Sequence, residues 1–309
     1  MQTILGSNGQ IGHELARELY KNYTKNIRLV SRNPKKINPT DQVRPADLSS
    51  YEQTLASLNG SDIVYFTVGL PMDTELWENQ FEIILQNVIK ACKSINSKLV
   101  YFDNTYMYPK NDVPQTELTE FRPEGRKSTV RARMANMLLN EIKLGTLNCV
   151  ICRAPEFYGP NKTQSITNTM LFDNVLQHKR LIVPISKTTK RTLIWTPDAS
   201  RALALIGNTS STYQQTWHLP CAPSASYNEL INITETITHE KYSVFTVKKW
   251  LFKLGAIFNS KFRELEELLP RYQYDNIFES NKFQEQFPSF EITTYKQGIQ
   301  SILTAGQTE

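Results

Sequence analysis

The sequence predicts an α/β protein: a doubly wound, largely parallel sheet with a smaller α-rich C-terminal lobe. Three observations carry this. Apolar runs that read as buried strands, at 27–30, 62–68, 98–102 and 147–152, alternate with amphipathic segments at 10–20, 50–59, 74–95 and 128–144. Such alternation builds parallel sheets, because each parallel crossover needs a covering element. The chain of 309 residues has room for one large α/β domain, or for such a domain with a smaller lobe. From about residue 225 the texture changes to amphipathic helices and polar turns, at 227–237, 247–254 and 262–269, closing on the aromatic-rich stretch 278–295. The expected division is 1–165 with 190–225 for the sheet domain and 166–189 with 226–309 for the smaller lobe, with a cleft between them.

The first element is also the most informative. A short apolar run, Thr3-Ile4-Leu5, meets glycines at 6, 9 and 12, and an amphipathic segment with Ile11, Leu15, Ala16 and Leu19 follows. Strand, glycine turn and helix in that order point to a dinucleotide site, with a structural turn as the plainer reading. Gly6 permits the tight turn, Gly9 lets the backbone approach a pyrophosphate, and Gly12 lets the helix pack close to the strand. Asn8, Gln10 and Ile11 lie within the same turn and helix start.

The second strand ends in Val30-Ser31-Arg32-Asn33-Pro34-Lys35-Lys36. An acidic residue there would hold the ribose 2′-hydroxyl of NAD, whereas a guanidinium suits a 2′-phosphate. Arg32 therefore favours NADP(H), with NAD(H) the alternative; a solvated surface arginine is the plainer reading. Asp47 can accept from an adenine amino group, or can cap the helix at 50–59. Thr67-Val68-Gly69 closes the fourth strand with residues that suit a backbone passing close to a cofactor.

Composition narrows the remaining classes. Hydrophobic content of 40% and charged content of 21% are ordinary for a globular chain. No apolar run approaches the roughly 18 residues that span a bilayer, so no membrane partner is expected. A strand from residue 2 or 3 leaves no room for a targeting segment, and the cysteines make no metal spacing; Cys149-Val-Ile-Cys152 reads as buried strand. Cytoplasmic location is the expectation. A net charge of +5 is mild. Arg122, Arg126, Lys127, Arg131 and Arg133 cluster, which suggests a solvated face or an anionic ligand. Nucleic acid is not expected, because Met134, Ala135, Met137 and Leu138 on the same helix call for burial.

Four pieces occur in order: Gly6-Ser-Asn-Gly9-Gln-Ile-Gly12, Tyr101-Phe-Asp-Asn-Thr-Tyr-Met-Tyr108, Arg153-Ala-Pro-Glu-Phe-Tyr-Gly-Pro160 and Thr196-Pro-Asp198-Ala-Ser-Arg-Ala202. On these the chain resembles, over nearly its whole length, the extended short-chain dehydrogenase/reductases of the NAD-dependent epimerase/dehydratase group. The resemblance implies a Rossmann-fold, NAD(P)-binding oxidoreductase or epimerase. Its substrate would be a small hydroxyl or carbonyl compound such as a sugar derivative. A homodimer is compatible with it.

One family feature is missing. The Tyr-x-x-x-Lys pair of the helix after the fifth strand has no counterpart in Gly125-Arg-Lys-Ser-Thr-Val-Arg-Ala-Arg-Met-Ala-Asn136, which contains no tyrosine. Ser128 or Thr129 falls at the tyrosine position and Arg131 or Arg133 near the lysine. The literal spacings Tyr106…Lys110 and Tyr158…Lys162 each contain a proline and follow strands, so neither can present both ends on one helical face. Two readings follow. In one, Tyr106 or Tyr108 supplies the proton, Asn104 or Thr105 orients the substrate oxygen, and Arg131 meets a cofactor phosphate or substrate carboxylate; packing is the plainer role for Tyr108. In the other, the chain is a catalytically inactive NADP(H)-binding sensor or partner-binding protein. Arg191 lies where sugar-nucleotide members often hold a phosphate, with surface solvation the alternative.

Overall fold

Four consecutive buried residues make β1 (Gln2–Leu5) a strand with no solvent face, which suits the middle of a parallel sheet covered on both sides. In the computed structural model, which describes residues 1–161, 163 and 165–306, the chain continues through α1 (Gln10–Asn22), β2 (Ile27–Ser31), β3 (Gln42–Pro45), α2 (Tyr51–Leu58) and β4 (Ile63–Phe66). Next come α3 (Thr74–Ile95), β5 (Lys98–Asp103), α4 (Arg126–Leu144), β6 (Cys149–Arg153) and β7 (Glu156–Tyr158). Then follow α5 (Asp173–Leu176), β8 (Leu181–Pro184), β9 (Lys190–Arg191), β10 (Leu193–Trp195), α6 (Thr196–Gly207) and β11 (Thr216–His218). The remainder forms β12 (Ala225–Ser226), α7 (Tyr227–Thr238), β13 (Val244–Val247), α8 (Lys249–Phe258), α9 (Ser260–Glu266), α10 (Asn281–Gln286) and α11 (Tyr295–Gly306).

The main sheet has seven strands in the order β11-β6-β5-β4-β1-β2-β3, and every pairing in it is parallel. The doubly wound architecture read from the sequence is thus the observed one. Strand order runs outward from β1 to β2 and β3 on one side, and through β4, β5 and β6 on the other. The reversal falls between β1 and β4, and ligands of such sheets bind beyond the C-terminal strand ends at that reversal.

Two compact units divide the chain. The first gathers residues 1–107, 126–154 and 199–219; the second gathers 108–125, 155–198 and 220–309. The first unit's core packs Leu5, Val64, Phe66 and Tyr101 of the sheet against Phe81, Leu85, Met134 and Leu138 of α3 and α4. The ends of α3 are well marked: Asp73 accepts from the Leu76 N–H at 2.9 Å, and Asn96 closes the helix in the left-handed region at φ 53°. The second unit has its own core, including Tyr158, Phe172, Trp195, Tyr227, Tyr272 and Ile299. It holds three two-stranded pairs, β10 with β7, β12 with β9 and β13 with β8. These strands are 2 to 4 residues long, too short to display a period-two pattern. They escape a reading by periodicity for that reason, and β13 takes Val247, which the sequence assigned to a helix.

Candidate active site

The glycine turn joins β1 to α1 at the strand reversal. Gly6 has φ +80°, and a Cβ on it would lie 2.8 Å from both the Thr67 carbonyl oxygen and the Val68 Cα. The segment after β4 therefore presses directly on the turn, as the small residues there suggest. Gly12 is equally confined: a Cβ would meet the Gly6 oxygen at 2.8 Å and the Ser7 Cα at 2.9 Å. Gly9 differs. Its φ of −76° suits any residue, and a Cβ would meet only the Gly6 oxygen, at 3.3 Å. The space in front of Gly9 is thus not filled by the described residues. Gly9 is also the N-cap of α1, supplies no side-chain cap, and the first turn of α1 holds no acidic residue. A 13-residue helix that begins on a glycine with no acidic side chain in its first turn fits a pyrophosphate. Ile11 turns its side chain into the protein, 7% exposed, and its carbonyl accepts from Ser200 Oγ at 3.2 Å; it offers the site backbone rather than side chain. Gly69 is exposed and a Cβ there would meet nothing within 4 Å.

The end of β2 is tied to this turn. Asn8 donates from Nδ2 to the Asn33 carbonyl at 2.8 Å, and Arg32 beside it is exposed. The Asp47 carboxyl is held below the usual carboxylate range, chiefly by hydrogen bonds from the Ser49 N–H and hydroxyl, with Arg32 adding a smaller attraction. Asp47 does not cap α2, as one reading of the sequence had it; Ser50 does, accepting from the Gln53 N–H. Asp47 instead shapes the turn before it.

The end of β5 carries a buried ionic cluster. Arg131 of α4 donates from Nη2 to Asp103 Oδ1 at 2.7 Å, and Arg153 of β6 donates from Nε to Asp103 Oδ2 at 3.1 Å. All three side chains are buried. The guanidinium of Arg131 also lies over the rings of Phe81 and Tyr101, 5.4 Å and 5.7 Å from their centroids. Burial alone would lower the Arg131 pKa, yet Tyr101, Asp103 and Tyr106 outweigh it and the net direction is upward, so it stays charged. The sequence reading gave Arg131 a cofactor phosphate or substrate carboxylate as partner. The anion it meets is the protein's own Asp103.

After Asp103 the chain turns sharply. Asn104 Oδ1 accepts from the Tyr106 N–H at 3.0 Å, an Asx turn, and Thr105 is buried. The half-buried Tyr106 ring stacks on Trp77, centroids 5.9 Å apart and planes 14° apart, while Trp77 donates to the Pro71 carbonyl. Tyr108 is 1% exposed and donates its hydroxyl to the Thr116 carbonyl at 3.1 Å. Its geometry is that of a packing residue. Lys110, of the rejected Tyr106…Lys110 spacing, donates to the carbonyls of Glu124 and Glu267. Lys162, of the other, lies outside the described residues.

α4 sorts the basic cluster by face. Arg126 is paired with Glu78 and Arg133 with Glu82, both on the solvent side, and Arg122 lies 3.8 Å from Glu120. Arg131 turns inward, and so does Lys127, which is 1% exposed. In the sequence Lys127 stands out only as one member of the cluster, and its burial overturns the solvated reading for this member. The signal was its spacing: Lys127-x-x-x-Arg131 puts two cations one turn apart on one face.

In the second unit Arg191 is also accounted for internally. It donates from Nε to Glu156 Oε2 at 3.2 Å, its guanidinium lies 3.9 Å from the Tyr272 ring centroid, and it is 1% exposed. Glu156 Oε1 accepts from Thr167 and Tyr272 as well. The reading of Arg191 as solvated is overturned, and its charge is met by Glu156 rather than by a phosphate. Among the described residues there is no group of three His, Cys, Asp or Glu placed to hold a metal, and no helix long and apolar enough to cross a membrane.

Comparison with known proteins agrees with this architecture. The chain aligns from end to end with the UDP-glucuronic acid 4-epimerase of Bacillus cereus, solved with UDP-glucuronic acid and NAD, at TM-score 0.81 and 16% identity, covering 100% of this chain and 99% of that one. The dTDP-glucose 4,6-dehydratase DesIV of Streptomyces venezuelae, solved as a double mutant with NAD, gives 0.80 at 14% identity over 99% and 97%. The UDP-glucose 4-epimerase of Thermus thermophilus, solved with NAD, gives 0.78 at 13% identity over 99% of both chains. At such identities the likeness establishes the fold. In sequence, the uncharacterized protein y4nL of Sinorhizobium fredii is 28% identical over 171 residues, which are 55% of this chain and 46% of that protein; the match spans about half the length of that curated relative. The model of the NAD dependent epimerase/dehydratase family matches residues 3–217, and with the glycine turn and seven-stranded sheet in place, the chain belongs to that family.

Proposed function

We propose that the protein is an NAD(P)-dependent oxidoreductase or epimerase acting on a small hydroxyl or carbonyl compound such as a sugar derivative. In this reading the first unit binds the dinucleotide through Gly6, Asn8, Gly9, Gln10, Ile11 and Gly12, with Val68 and Gly69 flanking it, and the second unit contributes to substrate binding. Arg32 at the end of β2 supports NADP(H) over NAD(H), since an exposed guanidinium there suits a 2′-phosphate. A bound nicotinamide supplies hydride donation or acceptance at its C4.

The observation that carries the catalytic half is the placement of Tyr106 just beyond the end of β5, its half-buried ring stacked on Trp77 with centroids 5.9 Å apart. A tyrosine so placed can pass a proton to or from a substrate oxygen. The Asx turn made by Asn104 holds the Tyr106 backbone, and Trp77 holds its ring. Thr105, beside them, orients the substrate oxygen. The test is a panel of sugars, sugar acids and ketones screened for oxidation of NADPH or reduction of NADP. With a turned-over substrate in hand, Tyr106→Phe should cost about 100-fold or more in kcat. Unchanged turnover in that variant sinks the proton-carrier role.

The absence of any tyrosine from α4 favours a second reading, a dinucleotide-binding sensor without turnover. Tight NADPH binding with no hydride transfer across the whole panel would select it.

A further inference from the structure

The positive charge of the chain is gathered in one stretch of the second unit. Between Glu240 and Glu264 stand Lys241, Lys248, Lys249, Lys253, Lys261 and Arg263, with no acidic residue among them. Those six cations exceed the net charge of +5 of the whole chain, so the remainder is slightly acidic. Lys241 is paired with Glu235. Lys248, Lys249 and Lys253 are exposed at the start and in the second turn of α8, and Lys249 donates to the neutral Gln273 at 3.3 Å.

α8 also sorts its apolar residues onto two faces. Phe252 and Ala256, one turn apart, are buried, whereas Trp250 and Leu254, also one turn apart, are 63% and 48% exposed. At 100° per residue, Lys249 and Lys253 fall between those two faces and flank the exposed one. A single exposed apolar side chain is ordinary. A tryptophan and a leucine along one helix face, edged by lysines, are the pattern of a helix that lies in the plane of a membrane surface. Phe245 of β13, just before α8, is exposed as well, with the Arg180 guanidinium 5.2 Å from its ring centroid.

We propose that α8 docks the protein on an anionic lipid surface. Trp250 and Leu254 enter the headgroup boundary, and Lys248, Lys249 and Lys253 meet lipid phosphates and carboxylates. Such a helix lies on the bilayer and needs no spanning run, so the want of one in the sequence does not bear on it. Charge selects lipid over a second copy of the chain. In a two-fold pair the patch would meet itself, and lysine would face lysine.

The experiment is co-sedimentation of the full chain with vesicles of phosphatidylcholine alone, and with vesicles in which a third of it is replaced by phosphatidylserine. The protein should bind the second about 100-fold more tightly than the first, and added salt should release it. Trp77, Trp195 and Trp217 are buried, so a blue shift of tryptophan emission on binding reports Trp250. Lys248→Gln, Lys249→Gln and Lys253→Gln combined should weaken binding to the anionic vesicles about 100-fold. Trp250→Phe should abolish the blue shift and keep most of the binding. Equal binding to both vesicles, binding to neither, or binding with the emission unmoved overturns the proposal. So does a blue shift that grows with protein concentration when no vesicles are present, which would give the patch to a second copy. If the triple variant does not fold by circular dichroism, the two vesicle compositions on the wild-type protein, with Trp250→Phe, decide alone.

Discussion

The Asn8 side chain donates to the carbonyl of Asn33 across 2.8 Å, so the glycine turn after β1 and the loop after β2 are held as one piece. Arg32 precedes that carbonyl by one residue. In the proposed mode of binding, a cofactor gripped at its pyrophosphate by the turn would meet the Arg32 guanidinium at its adenosine end. We expect Arg32→Ala to weaken NADPH about tenfold or more, the worth of one charge-assisted contact, and to leave NADH nearly untouched. Titration of both cofactors by fluorescence checks this; an unchanged preference would remove the basis for NADP.

The glycines of the turn should separate folding from binding. Gly6→Ala places a Cβ 2.8 Å from backbone atoms at a φ of +80°, and should cost about 2–4 kcal/mol of stability. Gly9→Ala meets only the Gly6 oxygen at 3.3 Å. It should stay within about 1 kcal/mol of wild type yet lose most dinucleotide affinity, because its methyl group would occupy the position proposed for the phosphate. Equal destabilisation of the two variants would contradict the geometry.

Glu156 and Arg191 form a buried pair in the second unit. Glu156→Gln leaves the Arg191 charge uncompensated at 1% exposure, and should cost about 3–5 kcal/mol in urea denaturation. Replacing both, with Glu156→Gln and Arg191→Met, should cost less than the sum of the single changes. Strict additivity would mean that the two groups do not sense each other.

Tyr108→Phe removes a hydroxyl that donates to the Thr116 carbonyl at 3.1 Å. About 1 kcal/mol of stability should go with it, and turnover should not. Should Tyr108→Phe lose catalysis while Tyr106→Phe keeps it, the two tyrosines have exchanged roles.

The thiols give a pH prediction. Burial pushes Cys92 and Cys149 from 9.0 up to about 12, and raises Cys152 as well. A thiol raised on folding stabilises the native state fully below its unfolded value. That contribution therefore falls as pH climbs from 9.0 through about 12. At pH 8 the folded protein should resist iodoacetamide at these positions and react fully in urea. Rapid labelling, or a bond between Cys149 and Cys152, would show the strand to be open.

The sequence made the cofactor half of the site legible and left much of the rest hidden, for physical reasons. Gly6 and Gly12 announce themselves because backbone approach admits only one residue type, and α3 because its apolar stripe runs for about six turns of regular spacing. The inward or outward sense of a cation is a different matter. Arg131 and Arg133 look alike in sequence, yet one lies buried beside Asp103 at the end of β5 and the other lies on the surface beside Glu82. Only the phase of α4 separates them, and that phase also reveals Lys127. The Glu156–Arg191 pair spans 35 residues and joins two strands too short to be read, so nothing local points to it.

The parallel sheet is finished late. β11 pairs with β6 through residues 216–218, and the family match reaches 217, so β6 shows a bare hydrogen-bonding edge to the ribosome's surroundings until some sixty further residues have been made. During that interval a buried, apolar strand is a template for another copy. A nascent chain stalled before residue 216 should therefore aggregate more readily than the full chain.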